Sequence, residues 1–171
     1  MKRFLKIWIL AMSFVNVIPL FLWAQNSPKD YLRAHNDART EVCVNPLKWD
    51  KQLELHASKF VKKRAANCKN ELINISLGGM YGQNIVYTPK SQTGAEAVAA
   101  WVNQKHNYDY KSNSCIDGTI KCRCYTEVVW DTTTLVGCAR VKCRNYEGTL
   151  TTCLYYPNGG DFNQRRPYKI H

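Results

Sequence analysis

Eight cysteines lying behind an uncharged N-terminal run constrain this chain more than any other feature. Met1–Lys6 carries Lys2, Arg3 and Lys6, and Ile7–Trp23 holds no charged residue. A basic start followed by an apolar stretch is the pattern of a secretory signal peptide, whereas a retained anchor fits poorly with Asn16 and Pro19 inside the run. The expected cut follows Ala24, which makes residues 1–24 a signal peptide and 25–171 one domain with a C-terminal extension. All eight cysteines lie beyond that cut. In an oxidising compartment such a density predicts a disulfide framework rather than a zinc site. No pair shows CxxC spacing, and Cys122-Arg123-Cys124 is too tight for a zinc knuckle. Spacing alone does not choose among the possible pairings.

The composition narrows the partners. Lys and Arg number 24 against 13 Asp and Glu, a formal net charge of +11, and three of the basic residues fall in the leader. A basic surface favours anionic membranes, acidic wall polymers or nucleic acid. The secretory start argues against nucleic acid, and the charges are scattered apart from Lys62-Lys63-Arg64 and Arg165-Arg166. Asn74-Ile75-Ser76 is a glycosylation sequon, in keeping with secretion. There is no P-loop, dinucleotide fingerprint or internal repeat.

Along the chain, Ser27-Pro28-Lys29-Asp30 opens a helix with the apolar stripe Tyr31, Ala34, Ala38 and Val42. Asp50 can cap a second, in which Leu53, Ala57, Phe60, Val61 and Ala65 recur at helical spacing. Thr93-Gly94-Ala95-Glu96 is a capping box ahead of a third. Gln83–Thr88 reads as a strand. Leu135–Cys143 and Leu150–Tyr156 read as a hairpin around Asn145–Gly148. Cys124 is placed on a strand. The predicted class is α+β, with helices packed on an antiparallel sheet.

Two segments, RCYTEVVW at Arg123–Trp130 and CLYYPNGG at Cys153–Gly160, resemble the paired signatures of the secreted CAP family, nearest its plant pathogenesis-related 1 branch. The family's first signature runs glycine-histidine-tyrosine-threonine-glutamine-valine-valine-tryptophan. The likeness extends from QNSPKDYLRAHNDAR at Gln25–Arg39 to RRPY at Arg165–Tyr168. It implies an α-β-α sandwich, stapled by Cys68–Cys138, Cys115–Cys122 and Cys143–Cys153. Cys43 and Cys124 are left over, to stay free, to pair with each other or, for Cys43, to link two molecules. Cys124 also competes with Cys122 for Cys115, and Cys122 is favoured.

In many members of the family two histidines and two glutamates meet in a cleft and hold a divalent cation. Carried onto this chain, those positions read Ser76, Gln83, Gln104 and Cys124. No imidazole and no carboxylate remains among them, and glutamine lacks the charge a cation needs. Neither a metal nor another cofactor is therefore expected. His35 reads as a packing residue, and His56, His106 and His171 as ordinary helix or tail residues. A Cys124–His35 hydrolase dyad is the enzyme alternative.

The resemblance implies a secreted, extracellular protein, apoplastic if from a plant. It would be monomeric and non-enzymatic, and would act in defence by binding sterols or other lipids, with Trp101–Tyr110 as a candidate groove wall. The alternative mode is release of a C-terminal signalling peptide corresponding to Pro157–Tyr168.

Overall fold

The computed structural model describes residues 26–68, 79–145, 147–159 and 164–170. The expected signal peptide, Asn74 and Ser76 lie outside them. Helix α1 (Pro28–Glu41) starts at Ser27, whose hydroxyl accepts from the Asp30 amide while the Asp30 carboxylate accepts from the Ser27 amide. This reciprocal bonding satisfies two N–H groups that an open helix end leaves without partners. Strand β1 (Lys48–Trp49) precedes α2 (Lys51–Arg64), which Asp50 caps through the Leu53 amide. Then come β2 (Gly82–Thr88) and α3 (Gly94–Val102), the latter opened by the Thr93/Glu96 capping box. A 3-10 turn (Asn103–Asn107) leads into the short ribbon of β3 (Tyr108–Asp109) and β4 (Ser114–Cys115). Helix α4 (Arg123–Val128), β5 (Leu135–Lys142) and β6 (Thr149–Tyr156) complete the order.

The main sheet runs β1-β5-β6-β2. Its three long strands are antiparallel as expected, but β1 joins β5 in parallel, so the sheet is mixed. Helix α2 covers one face, packing Leu53, Ala57 and Val61 over Leu154 and Leu150. It lies so close that a Cβ at Gly137 would meet the Leu53 and Glu54 backbone. The other face carries Val136, Cys138, Cys153 and Tyr155 beneath α1, α3 and α4. Helix, sheet and helix thus form three layers.

Strand alternation decides the disulfides. Cys138 sits directly opposite Cys153 in the β5–β6 register, on the α1/α3/α4 face. Cys143 lies five residues on, so its side chain belongs to the opposite face, where α2 ends and Cys68 follows. The bonds are accordingly Cys138–Cys153 (Cα–Cα 4.0 Å) and Cys68–Cys143 (6.0 Å), together with Cys115–Cys122. This corrects the expected Cys68–Cys138 and Cys143–Cys153 pairing, which would have required each bond to cross the sheet. Cys43 and Cys124 are free thiols. Cys124 lies on α4 rather than on a strand.

Buried Arg39 fixes α1 to the loop after α4. Its guanidinium donates to the carbonyls of Asn45, Val128, Trp130 and Thr133 at 2.7–2.9 Å, with no solvent exposure. Burial pushes its pKa down to about 10, which still leaves it charged at neutral pH.

Candidate functional site

A line of polar groups crosses the core between α1 and the 3-10 turn. His35, on the inward stripe of α1, has Nδ1 2.8 Å from the Tyr31 carbonyl and Nε2 2.9 Å from the Tyr155 hydroxyl. A carbonyl only accepts, so Nδ1 carries the proton and Nε2 accepts from Tyr155. The Tyr155 oxygen in turn accepts from Asn84 Nδ2 at 3.1 Å, and the same amide nitrogen donates to the Cys124 carbonyl at 2.9 Å. The Cys124 amide donates to Gln104 Oε1 at 3.2 Å. The donor order is consistent only with a neutral imidazole, and complete burial holds the His35 pKa down at about 4.

Beside this line sits a carboxylate that sequence reasoning missed. Glu127 faces the core from α4, one turn after Cys124, and a Cβ at Gly82 would collide with its Oε1. One oxygen accepts from the Gly159 amide, while Oε1 has no hydrogen-bond partner. Burial pushes its pKa up to about 7, with the Gly159 bond pulling the other way. Its charge also bears on Tyr155 and Cys124, both of whose pKa values burial raises, the thiol to about 11. The signal was present in the signature: the family has glutamine where this chain has Glu127.

The three described candidate ligand positions do not all come together. Gln104 and Cys124 meet directly, but the Gln83 side chain bonds Thr152 Oγ1 at 3.0 Å on the α2 face, opposite Asn84 and Cys124. Ser76 lies outside the described residues. Two neutral amides already engaged in hydrogen bonds, plus a thiol held protonated, are not a donor set for a divalent cation. The ligand atoms of His35, Cys138 and Cys153 do lie within 4.8 Å of one another, but the two sulfurs are bonded to each other. The Cys124–His35 dyad is not formed, because both imidazole nitrogens are taken by Tyr31 and Tyr155.

The second cluster is aromatic. Trp101 and Tyr108 are buried, whereas Asn103 and His106 of the same segment are exposed. Tyr108, Tyr110 and Tyr125 surround Tyr168 from the C-terminal segment, with Tyr110 and Tyr168 ring centroids 5.1 Å apart. His56 and Tyr81 make a separate surface pair at 5.8 Å, next to Tyr156.

Comparison with known proteins agrees with this architecture. The profile of the Cysteine-rich secretory protein family (CAP) matches residues 32–155. Pathogenesis-related protein 1 of Arabidopsis thaliana is 39% identical over 167 residues, 98% of this chain and 96% of its own length. Pathogenesis-related protein 1B of Nicotiana tabacum is 43% identical over 146 residues, covering 85% and 83%. Among solved structures, Schistosoma mansoni venom allergen-like protein 4 superposes with a TM-score of 0.65 at 27% identity, over 84% of this chain and 94% of that one.

Proposed function

The chain belongs to the CAP family of cysteine-rich secretory proteins, close in sequence to plant pathogenesis-related proteins 1, and on that premise we propose that it is a secreted, non-catalytic defence protein that binds a sterol or related lipid. The observation that carries this reading is the likeness itself, which runs almost end to end in both partners. Extracellular location is part of this proposal, supported by the same relatives and by the leader-like composition of residues 1–24. Three disulfides among the described residues support it.

The absence of catalysis is supported by the polar line. An acyl-transfer nucleophile needs a thiolate and a base within reach. Here the thiol is held neutral by burial and the imidazole is committed to Tyr31 and Tyr155. The groups that remain serve to position α1, α4, β2 and β6 against one another. The sequon at Asn74 is proposed as a glycosylation site.

The test is a titration of purified protein with a fluorescent sterol and, in parallel, a fluorescent fatty acid. Saturable sterol binding is expected, together with slowed growth of a sterol-dependent microbe that added sterol restores. Failure to bind either probe would overturn the lipid reading. Hydrolytic turnover that disappears in Cys124→Ser would overturn the non-catalytic one.

A further inference from the structure

We propose that the body of the domain carries a preformed docking site for its own C-terminal segment, one that holds residues 164–170 even when the chain is cut ahead of them. The segment is attached mainly through side chains. Its Tyr168 ring enters the pit made by Tyr108, Tyr110 and Tyr125, with the Tyr125 side chain beside its own. Tyr110 is gripped from a second direction by the Arg166 guanidinium, 5.2 Å from its ring centroid. Arg166 also donates to the carbonyls of Tyr110 and Lys111, at 3.2 and 3.0 Å. Arg165 makes a two-pronged ion pair with Asp131, whose own amide donates to the Pro167 carbonyl at 2.7 Å. Tyr110 OH then donates to the Tyr168 carbonyl and accepts from the Ile170 amide, each at 3.2 Å.

The receiving side is built independently of the segment. Tyr108 and Tyr110 belong to the β3–β4 ribbon, and Tyr125 to α4. The Cys115–Cys122 bond clamps ribbon to helix, and Asn113 orients the Tyr108 hydroxyl at 2.7 Å. A stapled aromatic pit, one carboxylate and two outward carbonyls together recognise a basic, basic, proline, tyrosine sequence. Arginine and tyrosine are among the residues enriched where interface binding energy concentrates. Backbone scission upstream of residue 164 therefore does not by itself liberate the segment. A competitor for the pit, itself a tyrosine-like aromatic with an adjacent cation, is needed to expel it.

The test uses the full-length protein with residues 160–163 replaced by a site-specific protease sequence. After cutting, gel filtration with intact-mass detection should find the 164–171 peptide travelling with the body. In the same background Tyr168→Ala should lose it, with retention weakened roughly tenfold or more, as expected for removing a buried ring. Tyr168→Phe should fall between the two. An excess of synthetic 164–171 peptide should exchange into the cut protein. Wild-type peptide that leaves the body as completely as the Tyr168→Ala peptide would overturn the proposal. So would a body whose circular dichroism collapses on cutting, since the site would then not be preformed.

Discussion

At the scale of single residues, the exchange of charge between two positions on opposite faces of the sheet matters most. Where family members carry a glutamate in the sheet and a glutamine on the helix, this chain has Gln83 and Glu127. The carboxyl has moved into the buried layer, where its neutral form is favoured. Its folded pKa of about 7 lies above the ordinary value of 4.5, so the folded state holds the proton more tightly. The resulting stabilisation is complete below the unfolded value and is lost as pH rises through the folded one. Glu127→Gln should remove that loss, leaving the variant more stable than wild type above neutral pH by on the order of 3 kcal/mol, read by urea titration at several pH values. Arg39 is the opposite case, a charge that its surroundings need. Arg39→Met should cost roughly 3 kcal/mol or more in the same measurement, because three buried carbonyls and a half-buried one lose their donor.

The elements differ in how openly the chain announces them. The three long helices were legible because each has a capping side chain ahead of an apolar stripe, and β5 and β6 because two largely apolar or β-branched runs flank a polar turn. Helix α4 was not. RCYTEVVW is rich in β-branched and aromatic residues, which favour extended backbone, yet tertiary contacts decide: Arg39 ties the Val128 carbonyl and Gln104 the Cys124 amide. The two-residue strand β1 is too short for any periodicity to show. Disulfide pairing was out of reach for a related reason, since it follows from the β5–β6 register, which no spacing between cysteines encodes. The candidate site was half legible: Cys124 and Gln104 do meet, whereas Gln83 turned to the other face and Glu127 went unread. Among the bonds, a double Cys→Ala replacement of Cys68–Cys143, separation 75, should destabilise most, and Cys115–Cys122, separation 7, least. In the chain-entropy account the two are worth about 4.5 and about 2.4 kcal/mol, and thermal melts of the two double variants check the ranking.

Across the whole molecule, two buried groups pull stability in opposite directions with pH. His35 has a pKa of about 4 when folded against an ordinary value of 6.5, so the unfolded chain binds the extra proton and stability rises with pH across that interval. Glu127 does the reverse between 4.5 and about 7. The exposed carboxylates Asp30, Glu96 and Asp109 are lowered by their hydrogen bonds and act below this overlap. Wild type should therefore show nearly constant stability from about pH 4.5 to 6.5, since one proton is released and one taken up. Glu127→Gln should turn that plateau into a rise, and His35→Gln into a fall. A wild-type stability that changes by more than roughly 1 kcal/mol per pH unit there would contradict the balance.

The interleaving of Cys68–Cys143 with Cys138–Cys153 has a consequence for the chain as a connected graph. The two links overlap, so every peptide bond between residues 68 and 153 is spanned by at least one of them. Any single scission in that interval leaves one molecule, and its halves separate only on reduction. Two side-by-side links, 68 to 138 and 143 to 153, would have left the stretch after Cys138 as an unbridged joint, with Arg140 and Lys142 as ready points of severance. Beyond residue 153 no such link exists, and there cohesion passes from covalent bonds to a tyrosine and two arginines.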